Sequence, residues 1–190
     1  MTHEVASEPS GADLASFDWR LSIAHVATSG PFSTFPGVDR ILTVLTGRLA
    51  LSAPGQVGRL ATPKTAPWSF SGDDAVWGMP IRGGVEDLNL MCRRGRFEGQ
   101  VDRLMPGRSH RLVAGEDLLM AVVQVPYSYV CGASTTDLNP LDAVWLDPGA
   151  SAELRPLTPL SRAITVRVRR IAITTHPASP TFRLAPRGTS

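Results

Sequence analysis

Histidine and cysteine are scarce in this chain, and their scarcity argues against a bound metal or other cofactor. The 190 residues include four histidines and two cysteines, and the histidines lie far apart in sequence. Neither a His-x-His nor a Cys-x-x-Cys pair occurs, so the ligand spacing of zinc and related sites is missing. We therefore expect no metal site and no cofactor. The redox state of Cys92 and Cys131 stays open at this point.

Charge of one sign and long apolar runs are also lacking. Lys64 is the single lysine, and the 19 basic residues nearly balance the 17 acidic ones, for a net charge of +2. The arginines are scattered rather than gathered in a stripe, which argues against a nucleic-acid partner. No apolar stretch is long enough to cross a bilayer, and the first residues lack the apolar core of a signal peptide. The sequence thus predicts a cytoplasmic protein with no membrane partner.

Signatures of common catalytic sites do not occur. There is no Gly-x-Ser-x-Gly segment, no glycine-rich loop leading into a helix, and no histidine beside either cysteine. Activated serine or cysteine nucleophiles and phosphate-binding loops therefore have no sequence support. No catalytic residue is assigned from the sequence.

What the chain does contain is a series of short apolar runs separated by turn residues. Seventeen glycines and 16 prolines divide it. Apolar and polar residues alternate at 17–23, 85–93 and 163–173, while 38–45 and 118–125 are more continuously apolar. Alternation with period two predicts strands, and many short strands with regular turns predict a sandwich or barrel. We expect an all-β fold with few short helices.

The organisation predicted along the chain is two similar β halves between two tails. Residues 1–15 and 174–190 have the composition of loose, disordered segments. A boundary near residue 96 divides the remainder into an N-terminal half, 16–96, and a C-terminal half, 97–173. One short helix is predicted within 99–105.

Polar side chains on three of the predicted strands define a candidate pocket. Arg20 and Ser22 share one face of the first strand, and Asp87 and Asn89 share one face of a later strand, since residues two apart point the same way. Arg40 lies on a third strand. If these faces point inward, they form a polar pocket with apolar walls, suited to a small anion. The alternative is that these residues lie on the solvent-facing side of an antiparallel sheet.

Several blocks of sequence resemble the HutD/Ves family. They are FDWRLSIAHV at 17–26, GPFSTFPG at 30–37, DRILTVLTG at 39–47, FSGD at 70–73 and VEDLNLMCRRG at 85–95. The resemblance implies a bicupin, a cupin-like double barrel that has lost the metal-binding histidines of other cupins. Some members are associated with histidine degradation and have been suggested to sense an intermediate such as formylglutamate.

The resemblance also implies which residues line the site. Arg40 is expected to bind an anionic group, with Ser22, Asp87 and Asn89 orienting it by hydrogen bonds, and the rim is expected to come from Phe32, Ser33 and Phe35. The full set of ligand-binding residues implied is Arg20, Ser22, Phe32, Ser33, Phe35, Arg40, Asp73, Asp87, Asn89 and Met91. Matching polar motifs are few in the second half, which argues against a second site there.

Three functions remain open from the sequence. The first is a metal-independent module that binds a small anionic or polar metabolite. Regulation of histidine utilisation through such binding is one form of this function. The second is a metal-independent cupin enzyme, such as an isomerase, epimerase or hydrolase, with Asp87 as base and Arg40 as electrostatic stabiliser. The third is an interaction protein whose barrel forms a homodimer or pairs with another chain.

Overall fold

The computed structural model describes residues 1–172, which form seventeen β-strands and no helix. The predicted all-β fold is confirmed. The strands are β1 (Thr2–Glu8), β2 (Trp19–Val26), β3 (Gly30–Pro31), β4 (Val38–Thr46), β5 (Leu49–Ser52), β6 (Arg59–Ala61), β7 (Trp68–Ser71), β8 (Trp77–Pro80), β9 (Val85–Arg93), β10 (Phe97–Arg103), β11 (His110–Val113), β12 (Leu118–Val125), β13 (Tyr127–Cys131), β14 (Ser134–Leu138), β15 (Ala143–Leu146), β16 (Ser151–Pro156) and β17 (Arg162–Arg170).

Each half of the chain contributes two sheets that pack face to face. The first pair has the strand orders β1-β2-β9-β4-β7 and β3-β8-β5-β6, and the second has β10-β17-β12-β15 and β11-β16-β13-β14. The two sheets of a half do not join into one continuous closed barrel. Instead, apolar side chains from both sheets fill the space between them, as in a β-sandwich.

The two halves meet through an apolar layer between sheet β1-β2-β9-β4-β7 and sheet β10-β17-β12-β15. Leu21 on β2 and Leu90 on β9 pack there against Val122 on β12 and Val166 on β17. All four side chains are fully buried. Side chains alternate along a strand. The residues that neighbour Leu21 on β2 and Leu90 on β9 therefore point the other way, into the interior of the N-terminal half.

Polar contacts also connect the halves. The Arg103 guanidinium on β10 donates from Nε to the Thr65 carbonyl at 2.8 Å and from Nη2 to the Val44 carbonyl at 2.7 Å. Gln124 on β12 donates to the Leu45 carbonyl at 3.0 Å. Side chains of the C-terminal half thus donate hydrogen bonds to backbone carbonyls of the N-terminal half. The junction is held by these hydrogen bonds as well as by its apolar layer.

Two sequence predictions about local structure are wrong. Residues 99–105 do not form a helix, because 97–103 is strand β10, which pairs along its full length with β17. Residues 1–15 are not a loose tail throughout, because β1 pairs with β2 at the edge of its sheet, with a bulge between Glu4 and Ala6. The tail predicted at 174–190 lies outside the described residues.

Both cysteines are free thiols, with Cys92 buried and Cys131 exposed. A helix long and apolar enough to span a membrane does not occur within residues 1–172.

Candidate functional site

A cavity of about 450 Å³ opens into the N-terminal half. Its floor is the inward face of β2, β9 and β4, and its mouth is bordered by the segment that follows β2. The residues that line it are Thr2, Leu14, Arg20, Ser22, Ala24, His25, Val26, Ala27, Thr28, Ser29, Gly30, Pro31, Phe32, Ser33, Phe35, Arg40, Asp87, Asn89 and Met91. Nine of the ten residues expected at the site from the sequence are in this set.

Strand register explains why the polar side chains converge. Met91 on β9 is paired with Arg20 on one side and Arg40 on the other, and Asn89 is paired with Ser22. Directly opposed residues of antiparallel strands place their side chains on the same face, about 5 Å apart. Three strands that are distant in sequence therefore present their polar residues to one space.

Arg40 is the buried cation of the cavity, with 6% of its surface exposed. Its Nη1 donates to the Ser33 carbonyl at 2.9 Å, and its Nε donates to Asn89 Oδ1 at 3.3 Å. Within residues 1–172, Nη2 has no hydrogen-bond partner and the guanidinium has no carboxylate partner. Burial lowers the pKa of Arg40 to about 10, so the side chain remains a cation at neutral pH.

Three aromatic rings surround the Arg40 guanidinium. Its central carbon lies 5.7 Å from the ring centre of Phe32, 5.3 Å from that of Phe35 and 4.9 Å from that of Phe70. Ring faces attract cations at these distances and exclude water from them. The rings thus fix the guanidinium in place while leaving its polar edge to be satisfied.

Asp87 is the buried acid of the cavity, with 1% of its surface exposed. Its Oδ1 has no hydrogen-bond partner within residues 1–172. Burial raises the pKa of Asp87 to about 7, although the positive charge of Arg40 and the amide of Asn89 act in the opposite direction. Asp87 can therefore exist as a carboxylate or as a neutral acid near physiological pH.

A second arginine in the cavity is already paired. Arg20 Nε lies 2.9 Å from Glu4 Oε2, an ion pair whose geometry does not make a hydrogen bond. Glu4 is a third exposed and accepts a hydrogen bond from Ser7 Oγ at 2.8 Å. Strand β1 thus brings a carboxylate to the side of the cavity and neutralises Arg20.

The structure does not bring Asp73 into the cavity, in contrast to the sequence prediction. Asp73 is exposed, and its carboxylate accepts hydrogen bonds from the Gly37 amide at 3.2 Å and from Arg94 Nη1 at 3.0 Å. The adjacent Gly72 exchanges backbone hydrogen bonds of 2.7 Å with Phe35 and Val38. A β-carbon at Gly72 would lie 2.5 Å from the Phe35 carbonyl oxygen. The FSGD block therefore positions the loop that carries Phe35 instead of touching a ligand.

Sequence reasoning missed two residues of the site. His25 is exposed at the cavity mouth, where its ring lies against Gly84. Phe70 lies beside Arg40 because the two are directly paired between β7 and β4. The alternation of side chains along β7 could have indicated that Phe70 points towards Arg40, but only once the pairing of β7 with β4 was known.

The remainder of the described chain offers no comparable cluster. Within residues 1–172, no group of three or more histidine, cysteine, aspartate or glutamate side chains is arranged to hold a metal ion. The interior of the C-terminal half is filled by apolar residues such as Leu119 and Leu154, and its Tyr127 hydroxyl is already bonded to the Ser161 carbonyl at 3.2 Å. The polar interior of the first half is thus not repeated in the second.

Comparison with known proteins identifies the family. Residues 1–161 match the family model HutD. This chain belongs to the HutD family. A protein of Pseudomonas putida, described as an uncharacterized 21.2 kDa protein in the hutC 3' region, is 40% identical over 101 residues, or 53% of this chain and 52% of that protein. Protein Ves of Citrobacter koseri is 37% identical over 86 residues, or 45% of each chain. The chain thus spans about half the length of the curated relatives it matches.

Several solved structures share the fold. A conserved protein of unknown function from Pseudomonas aeruginosa PAO1 superposes with a TM-score of 0.77 at 25% identity, covering 88% of each chain. HutD from Pseudomonas fluorescens SBW25 superposes with a TM-score of 0.74 at 24% identity, covering 90% of this chain and 89% of that one. A cupin 2 conserved barrel domain protein from Leptotrichia buccalis reaches 0.59 at 8% identity over 89% and 88% of the two chains. The cupin-like fold and the HutD/Ves resemblance are confirmed.

Proposed function

We propose that this HutD protein binds a small carboxylate-bearing metabolite in the N-terminal cavity, without a metal, as a regulatory module of histidine utilisation. The observation that carries the proposal is Arg40, a buried guanidinium that faces a cavity with one nitrogen unpaired. We take N-formylglutamate as the candidate ligand.

The environment of Arg40 favours an anionic ligand. A buried arginine is nearly always paired with a carboxylate or phosphate, because an uncompensated charge in a protein interior is costly. Ser33 and Asn89 supply neutral acceptors only. A ligand carboxylate placed at Nη2 would provide the direct anionic contact that Arg40 lacks and form a charge-assisted hydrogen bond.

The other polar groups of the cavity match the remainder of such a ligand. Ser22 and Asn89 are both buried and lie opposite each other on β2 and β9. Their hydroxyl and amide can donate and accept hydrogen bonds, as can Asp87. N-formylglutamate carries two carboxylates and an amide, so it offers both an anion for Arg40 and a donor and acceptor for these groups.

The described relatives support the metabolic setting. One carries the name HutD, and another is described by its place in the hutC 3' region. This chain covers only about half of its curated relatives. We therefore use their names to propose a role in histidine utilisation, and we do not infer a ligand from them.

Calorimetric titration tests the proposal. The wild-type protein is titrated with N-formyl-L-glutamate, urocanate and L-histidine, and thermal shifts are recorded in parallel. We expect saturable binding of the formylated acid and a weakening of about tenfold to a hundredfold in R40Q, the range for hydrogen bonds to a charged group. R48Q, which removes an exposed arginine that does not line the cavity, is the matched control and should bind like wild type. No heat and no thermal shift from any of the three compounds, or equal binding by R40Q, would refute the proposal.

A second candidate function is acid–base catalysis on the same ligand. The observation in its favour is Asp87, whose raised pKa of about 7 and unpaired Oδ1 suit a general base. If the protein is an isomerase, epimerase or hydrolase, NMR spectra of N-formyl-L-glutamate incubated with it should show product or exchange of the α-proton, and D87N should stop either reaction. Unchanged spectra with the wild type would remove this candidate.

A further inference from the structure

The ionisable groups around the cavity come from four strands and nearly cancel one another. Arg20 on β2 is neutralised by Glu4 on β1 at 2.9 Å. Arg40 on β4 and Asp87 on β9 are the remaining buried pair, and His25 lies exposed at the mouth. When Asp87 is ionised, its charge offsets that of Arg40 without direct contact, and Glu4 offsets Arg20, so the four charges sum to zero.

An incoming carboxylate therefore upsets this balance. It would stand near Arg40 in a space that also contains the Asp87 side chain. Two carboxylates that share a buried site cannot both remain ionised at low cost, because each disfavours the charged form of the other. One proton on Asp87 cancels the charge that this carboxylate adds near Arg40 and converts the repulsion into a hydrogen bond.

Resting on the proposed function, we propose that ligand binding takes up one proton from solvent at Asp87, which then contacts the ligand as a neutral acid. The proton forms an O–H bond on the carboxyl group of Asp87, and this group donates to a ligand oxygen. No other bond is made or broken. Asp87 is thus a ligand-binding donor, and affinity becomes dependent on pH.

The geometry of Asp87 supports this assignment. Asp87 lines the cavity, and its Oδ1 is buried and lacks a partner among the described residues. An ionised carboxylate accepts hydrogen bonds only, whereas a protonated one also donates. A buried, unpaired oxygen is costly in the free protein, and the ligand removes that cost if it accepts from the protonated group. Burial already brings the pKa of Asp87 to about 7, so a modest additional rise is sufficient.

The other groups are less suited to receive the proton. Glu4 is occupied by Arg20 and by the Ser7 hydroxyl. His25 is exposed, where solvent screens its interaction with a buried anion. Neither group is therefore expected to take up the proton.

Titration calorimetry with N-formyl-L-glutamate at pH 8, in buffers of different ionisation enthalpy, measures the proton directly. We expect the wild type to take up close to one proton per ligand, and its affinity to fall about tenfold per pH unit between the pKa of Asp87 in the free protein and its higher pKa in the liganded state. D87N, which preserves the shape of the side chain, should take up none and bind with an affinity that does not change between pH 6 and 9. R48Q, the control outside the cavity, should keep the proton uptake of the wild type.

The outcomes separate this inference from the proposed function. If the binding enthalpy does not depend on the buffer, proton uptake is refuted while the proposed function stands. Proton uptake that persists in D87N likewise refutes only the assignment of the proton to Asp87. Absence of binding at pH 6 overturns the proposed function and, with it, this inference. If D87N does not fold, the ¹³C signal of the Asp87 carboxyl group in the wild-type protein decides. It should report a neutral acid at pH 8 with ligand and a carboxylate without it, and a carboxylate in both states refutes the inference.

Discussion

Replacing Asp87 by Asn should change how the stability of the protein depends on pH. Burial raises the pKa of Asp87 from 3.8 to about 7 in the folded protein, whereas the unfolded chain has the ordinary value. The folded state therefore binds more protons than the unfolded state between these two values, and the free energy of unfolding must fall as the pH rises through this window. The contribution is fully present below pH 3.8 and is lost above about pH 7.

The size of this effect follows from the two pKa values. At 1.36 kcal/mol for each pH unit, the full loss is about 4 kcal/mol, of which about 2 kcal/mol falls between pH 5 and pH 7, where Asp87 is still half protonated. Asp87 has only 1% of its surface exposed, so solvent screening does not reduce this figure greatly. A neutral asparagine of the same shape does not titrate and has no such loss.

Urea unfolding of both proteins at half-unit steps from pH 5 to 8.5 provides the assay. Other titrating groups are common to the two proteins, so the difference in free energy of unfolding isolates Asp87. D87N should gain about 2 kcal/mol relative to the wild type between pH 5 and pH 7 and level off by about pH 8. A difference that stays constant over the whole range would refute the buried, unpaired carboxyl group described above.

Three further substitutions test separate parts of the structure. E4Q should free the charge of Arg20 and tighten binding of N-formyl-L-glutamate up to about fivefold by calorimetry, since partly exposed ion pairs contribute at most about 1 kcal/mol; weaker binding would show that Glu4 helps to form the site. R103M should lower the free energy of unfolding in urea by about 3 kcal/mol, because it leaves backbone carbonyls at the junction of the halves without charged donors; an unchanged value would show that the apolar layer suffices. G72A should cost about 1–3 kcal/mol through its clash with the Phe35 carbonyl and should weaken binding by displacing the rim, and a neutral effect would show that the loop adapts.

The convergence of the polar residues could be predicted because it depends on alternation. On β2 and β9, the polar side chains point to the sheet face opposite to that of the buried leucines, and antiparallel pairing keeps them on one face across both strands. These polar residues are Arg20, Ser22, Asp87 and Asn89. The resemblance to the HutD/Ves family added the anion-binding role of Arg40 and the rim. What alternation could not supply is which strands are neighbours, since β2, β9 and β4 are far apart in sequence.

The errors have physical causes of the same kind. Strand β1 is polar and has little local strand preference, so its structure comes from its pairing with β2. In β10, a β-carbon at Gly99 would lie 2.4 Å from Leu90 Cδ2, so this glycine permits close packing against β9, a requirement that local sequence does not reveal. Asp73 belongs to a block of family sequence, but it acts through the loop that it holds and not through the cavity.

A crystal structure of the protein with N-formyl-L-glutamate is the most direct test of the account. We predict one ligand in the N-terminal cavity, with a carboxylate oxygen within hydrogen-bond distance of Arg40 Nη2 and a ligand oxygen at Asp87 Oδ1. A ligand bound elsewhere, or one in the cavity whose carboxylates avoid Arg40, would contradict the claim that this buried guanidinium is an anion-binding site.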